Sequence, residues 1–367
     1  MKKSSLSLSL SLIKIISLFF LSTILVLTVS CGGGAASRAN GETAGPTVYV
    51  AGGEGYWKNG NAVLLMDDTH DATANSLFVV GNNVYIAGEE RNSEGKTFSK
   101  YWKHANGEVQ TITLSDGTSH DWGSSIFVSG NDVYVAGYSY SGDPFADQNG
   151  NGSGEHVAKY WKHGEGTATV QTTTLSGGSF ANSIFVSGND VYVAGHGGSS
   201  KFWKNGTMTD LSDGNRAKSI FVAGEDVYIA GTIKGSGTYS DDFAEGCQAI
   251  YWEKRGTSAP QKITLSGGNE ARSIFVVGED VYIAGYAYNG SVHTAKYWKR
   301  HGNEDLQEIT LSGGGIANSI FVLNGDIYVA GYDIDSNGSF VSAKYWKNGV
   351  SMPLNGGVYA TSIFVVP

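Results

Sequence analysis

The chain has 367 residues, 41% of them hydrophobic and 12% aromatic, which is enough apolar material for a large core. Acidic residues outnumber basic ones, 34 to 25, for a formal net charge of −9 at pH 7, which disfavours nucleic acid and anionic lipid as partners. Two cysteines exclude a disulfide scaffold, and 52 glycines with no long stretch of 3.6-residue periodicity argue against a helical protein.

Lys2, Lys3 and Lys14 precede an apolar stretch from Ile15 to Val29, which ends in Leu27-Thr28-Val29-Ser30-Cys31-Gly32. The run is too short and too rich in hydroxyl residues for a transmembrane helix. It resembles a bacterial lipoprotein signal peptide, although Thr28 stands where the usual box has Leu and Leu27 lies one residue further back. The resemblance implies removal of residues 1–30, acylation of Cys31, and attachment to the bacterial cell envelope. Gly32 in place of an Asp after the anchor points to the outer membrane by the same likeness. Loss of the signal takes away three lysines and no acid, leaving 22 basic against 34 acidic residues, a charge of −12. Residues 31–47 carry no apolar periodicity and read as a flexible Gly/Ala/Ser-rich tether. With Cys31 acylated, Cys247 has no partner, so no internal disulfide is expected.

From Val48 onward one pattern recurs seven times: V/I-Y-V/I-A-G, a variable stretch, an aromatic-Trp-Lys-like cluster, a Leu, and Ser-(Ile/Leu)-Phe-Val. The repeated tryptophans are Trp57, Trp102, Trp161, Trp203, Trp252, Trp298 and Trp346. Each unit holds four short β-prone runs, as in Ser183–Val186, Val191–Ala194, Lys201–Lys204 and Met208–Leu211. Gly188-Asn-Asp190 closes a first hairpin, and Asn59-Gly60, Asn205-Gly206 and Asn348-Gly349 are strong turn signals between third and fourth strands. The near-continuous apolar Ile-Phe-Val and Val-Tyr-Val-Ala runs imply sheets buried on both faces. The unit is a four-stranded antiparallel meander of propeller-blade length.

The chain ends complement one another. The first repeat begins in its second strand, and Ser362-Ile-Phe-Val-Val-Pro367 is a first strand with no successor. The sequence therefore predicts an all-β, seven-bladed β-propeller over 48–367, closed by the C-terminal strand joining the N-terminal blade. The Y-V-A-G and Y-W-K-N-G motifs resemble those of bacterial propeller-repeat proteins, often carried on lipoproteins. That likeness implies the fold and no particular activity.

Positions filled alike in every blade most simply serve the scaffold. The repeated Trp and Tyr are assigned to inter-blade packing, and the lysines beside them, such as Lys103, Lys162 and Lys347, to the surface. Variation falls on one face, in the second-to-third-strand loops at Gly137 to Lys159 and Gly231 to Ile250. Before each first strand stand Thr73, Trp122, Phe180, Arg216, Glu270, Ile316 and Tyr359, predicted to ring the mouth of the central channel. Among them an aromatic platform of Trp122 and Phe180, with His120, Arg216 and Tyr359, is the candidate ligand site.

Asp147, Asn149, Asn151 and Glu155 place oxygen ligands at spacings 1, 3, 5 and 9, a Ca²⁺-loop pattern resembling the calcium hairpins of integrin-type propellers. Asp333, Asp335, Asn337 and Gly338 begin similarly, but Val341 stands where the last ligand belongs. No further cofactor is expected, and the histidines and acid pairs, Asp67-Asp68 and Asp241-Asp242 among them, show no catalytic spacing. The expected function is a monomeric, lipid-anchored, extracytoplasmic binding module engaging a protein or glycan. The alternatives are an envelope-complex scaffold and an enzyme acting on polysaccharide or peptide.

Overall fold

The computed structural model describes residues 45–65, 71–142, 154–235, 246–335 and 338–367. Cys31 with the signal and most of the tether, the three oxygen ligands Asp147, Asn149 and Asn151, and the acid pairs at 67–68 and 241–242 lie outside them. No helix among the described residues is long and apolar enough to cross a membrane.

Seven four-stranded antiparallel sheets follow one another along the chain. In six of them sequence order is spatial order. In the first, the C-terminal strand Ser362–Val366 lies beside Thr47–Gly52, ahead of Gly55–Lys58 and Asn61–Leu64. This blade 1 is built from both ends of the chain, with Val50 opposite Ile363 and Ala51 opposite Ser362. The inner strands of blades 2 to 7 are Asp71–Val80, His120–Ser129, Phe180–Ser187, Arg216–Ala223, Glu270–Val277 and Ile316–Leu323. The protein is a seven-bladed β-propeller, as the repeat predicts.

Adjacent blades are joined by apolar clusters. One sets Tyr192, Ala194 and Phe202 of blade 4 against Ala217, Ile220, Val222 and Trp252 of blade 5, and the arrangement recurs around the ring. All seven repeated tryptophans are buried, and the Nε1 of Trp203, Trp252, Trp298 and Trp346 donates to the carbonyl of Ser176, Ser212, Ser266 and Ser312. The Asn-Gly turns have positive φ at both residues, 50° and 80° at Asn205-Gly206, the twist that a two-residue hairpin requires. The repeated lysines are more than surface decoration. Lys204 lies 5.3 Å above the Tyr192 ring and 2.7 Å from Asp190, and Lys347 uses Tyr328 and Asp326 likewise.

The inner strands depart from the sequence expectation of continuous burial. Their Ile and Val enter the inter-blade clusters while the alternating Ser and Phe face the axis. Each Ser accepts a hydrogen bond from the backbone N–H of the next blade's inner strand. The bonds run Ser76 to Ile126, Ser125 to Ile184, Ser183 to Ile220, Ser219 to Ile274, Ser273 to Ile320, Ser319 to Ile363 and Ser362 to Leu77, at 3.1–3.3 Å. Two residues further along, Phe78, Phe127, Phe185, Phe221, Phe275, Phe321 and Phe364 form an unbroken circle with centroids 4.8–5.1 Å apart. Points so spaced lie on a circle of about 5.6 Å radius; rings about 6.5 Å wide cannot lie side by side facing the axis at that spacing, so their edges turn inward and leave a bore of about 4 Å. The channel is thus narrowed by an apolar collar.

Candidate functional site

Above the collar, towards the variable loops, the inner strands of blades 2 to 7 each carry a β-bulge one residue before the Ser. The bulge explains the Gly of V-Y-V-A-G. It brings the carbonyl three residues before the Ser against that Gly, so a Cβ on Gly137, Gly231 or Gly285 would strike the oxygen of Trp122, Arg216 or Glu270. It also re-aims one side chain per blade. The residues so placed are Asn75, Ser124, Asn182, Lys218, Arg272 and Asn318, with Thr361 at the equivalent position of blade 1. All seven line a well of about 560 Å³ together with Glu89, Trp122 and Tyr138.

Several of these side chains also staple neighbouring blades. Asn75 Nδ2 donates to the Gly123 carbonyl, Asn182 Nδ2 to Ala217 and Asn318 Nδ2 to Ala360, at 2.7–2.8 Å. Thr361 Oγ1 donates to the Ala74 carbonyl at 3.1 Å or to that of Ala51 at 3.0 Å. Blades 5 and 6 substitute charge for the amide. Lys218 Nζ lies 3.1 Å from Glu270 Oε1, and Arg272 holds Glu270 Oε2 through Nε at 3.0 Å and Nη2 at 2.9 Å. Arg272 Nη1 donates to Asn318 Oδ1 at 2.9 Å.

Burial acts on these groups in opposite senses. It pushes the Glu89 carboxyl up to about 8, against the hydrogen bonds from Asn75 and Thr73. Glu270 is more deeply enclosed, yet the charges of Arg272 and Lys218 outweigh its desolvation and hold it down to about 2. Lys218 is pulled below the usual lysine range, by burial first and by the charges of Arg272 and Arg216, with Glu270 opposing.

The ring read from sequence is therefore only partly the ring that forms. The seven predicted residues lie three positions before the Ser, and those of blades 4 to 7 begin the inner strand instead of preceding it. Glu270 and Ile316 are buried, Ile316 beneath Tyr286 and Tyr332. Trp122 does line the well, and its platform is larger than predicted. Trp122 stacks on Tyr138 at 4.9 Å and 13°, Tyr138 meets Phe180 edge-on at 4.8 Å, and Phe180 stacks on His196 at 4.9 Å. His156 packs against Phe180 at 4.7 Å, and His120 stacks on Trp122 at 6.2 Å while accepting from the Thr97 N–H. Desolvation keeps His156 and His196 below the usual histidine range, His196 at about 3, so the platform's middle is uncharged at neutral pH. Arg216 stands next to this group, its charge helping to depress His196. Tyr359 belongs to a separate aromatic group, 5.8 Å from Phe340, which is itself 4.8 Å from Tyr332.

Sequence reasoning passed over Lys218, Arg272 and Glu89. The available signal was a polar residue before the Ser in all seven units, in the middle of an otherwise apolar strand. Of the first calcium set only Glu155 is described, exposed at the base of its loop with its N–H donating to Ser141 Oγ. In the second set the Asp333 carboxylate is engaged by Lys344 and by Ser342 Oγ, which removes it as a cation ligand in this arrangement. Among the described residues no group of three or more His, Cys, Asp or Glu is arranged to hold a metal ion.

No protein-family profile matches the chain, and no curated protein matches it. Among solved structures the chain is similar to the one titled "Structure of YjhT", with a TM-score of 0.45 and 10% identity, over 80% of this chain and 97% of that one.

Proposed function

We propose that the protein is a binding module of the bacterial cell envelope, held at the outer membrane through acylated Cys31, which engages a glycan through the variable-loop face of the propeller. The observation that carries this reading is the aromatic surface of Trp122, Tyr138 and Phe180 beside an open polar well. Flat aromatic faces match the apolar faces of sugar rings, and well donors can take up hydroxyls. Seven-fold repetition supplies rigidity, and the non-repeated residues at the mouth supply selectivity. Calcium held by Asp147, Asn149, Asn151 and Glu155 belongs to the same reading.

Screening the full chain against immobilised glycans tests the proposal. A retained glycan should be lost in Trp122→Ala and Phe180→Ala variants that melt like the parent; undiminished binding by both would remove the platform. Protease digestion of intact cells tests placement. Loss of the protein, with a periplasmic control intact, puts the variable face outside the cell, whereas protection until permeabilisation directs the search to periplasmic partners and the scaffold role.

One observation favours a second reading. Glu89, held protonated by burial, lines the well as a carboxylic acid with a proton to give. Turnover of the retained glycan, abolished by Glu89→Gln, would make the protein an enzyme; binding without product keeps it a module.

A further inference from the structure

The glycan reading gives the central well only the general role of meeting hydroxyls, yet the well is chemically specific. Its six bulge positions and Thr361 present only amides, hydroxyls, one ammonium and one guanidinium. No carboxylate stands among them. Among the described residues one carboxylate, Glu270, serves the two cations, enclosed behind them and shared, one oxygen to Lys218 and the other to Arg272. Lys218 makes one ion pair among the described residues, with three N–H bonds to give, and is crowded by Arg272 and Arg216. Its ammonium is therefore short of anionic partners, yet it lines open space. Glu89, in blade 2, lies half a ring away from blades 5 and 6 and is held largely uncharged at neutral pH, so it does little to repel an anion entering between the two cations.

Resting on the glycan reading, we infer that the well is a carboxylate subsite: the ligand is an acidic glycan whose sugar carboxylate sits between Lys218 and Arg272 while its ring packs on Trp122. A monoanion suits the site better than a dianion, because Glu270 already neutralises one of the two cations. The Phe collar below closes the well to anything larger than a small solute, so a sugar enters from the variable face and stops there. Trp122 borders both the platform and the well, which lets one residue contact ring and substituent together.

Ligand-observed NMR titrations of the detergent-solubilised full chain with glucuronate, glucose and glucose 6-phosphate test this directly. Glucuronate should bind on the order of tenfold more tightly than glucose, the worth of one charge-assisted hydrogen-bond pair. Lys218→Met should erase that preference while Lys218→Arg keeps it, with melting curves reporting folding. The two Arg272 bonds to Glu270 do not involve Lys218, so the Met variant should retain them. Should Lys218→Met fail to fold, the parental ratio of glucuronate to glucose decides alone. Equal binding of the two sugars, both lost in Trp122→Ala, would overturn the carboxylate subsite and leave the platform standing. Tighter binding of glucose 6-phosphate, or a preference that survives Lys218→Met, would also overturn it. Failure of all three sugars to bind at millimolar concentration would overturn both the subsite and its glycan premise.

Discussion

Two levels of the same inner strands behave in opposite ways. At the level of the collar all seven blades place Phe, and the Ser two residues before it is equally invariant, so hydrogen bonds and ring contacts close upon themselves. One residue before that Ser, across the bulge, the blades place Asn, Ser, Asn, Lys, Arg, Asn and Thr. The backbone is the same throughout; what changes is whether a side chain meets its own counterpart in the next blade or open space. Counterparts force uniformity, since a seven-fold contact fails at its weakest member. Open space permits divergence, and there the charges and the indole gather.

The sharpest way to break the uniform level is to open the ring. Truncation before Ser362 removes the inner strand of blade 1, the Ser362 bond to Leu77, and Phe364 with both its ring contacts. It also exposes an unpaired edge on Thr47–Gly52. The truncated chain should lose its cooperative melting transition near the parental temperature in calorimetry; an unchanged transition would show that the ring does not depend on this closure.

A smaller wound is Phe221→Ala, which leaves Phe185 and Phe275 without their neighbour. Denaturant titration should read a loss of about 2–4 kcal/mol, below the range for fully buried Phe because one side faces the channel. Smaller again is the effect of Glu89→Gln at the divergent level. Glu89 has a folded-state value raised from 4.5 to about 8, so between those values the folded state holds a proton that the unfolded state has released. Stability from this group is therefore full below about pH 4.5 and declines as pH rises towards 8. The Gln variant should flatten that decline, melting above the parent at pH 8 and together with it at pH 4.5. Glu270 works in the reverse sense, lending stability that is lost as pH falls from 4.5 towards 2.

Much of the uniform level was legible in the sequence because repetition exposes it. Trp252, Tyr228 and the V-Y-V-A-G glycines recur in register, and the complementary ends predicted ring closure. The divergent level was less legible for a geometric reason. A bulge inserts one residue and turns the side chains beyond it to the other face, so the position three before the Ser no longer points where simple alternation would send it. Glu270 was thereby read as a rim residue although it lies behind Lys218 and Arg272, whereas Trp122 does line the well. The aromatic neighbours Tyr138, His156 and His196 were missed because they come from the second and third strands, and only the sheet register brings them beside Phe180.

The separation of scaffold from site along one strand is tested most directly by measuring melting temperature and glycan binding in parallel for Phe221→Ala and Trp122→Ala. Phe221→Ala should lower the melting temperature while its folded fraction binds with parental affinity, and Trp122→Ala should melt within a degree or two of the parent but no longer bind. Parallel loss of both properties in both variants would contradict that separation.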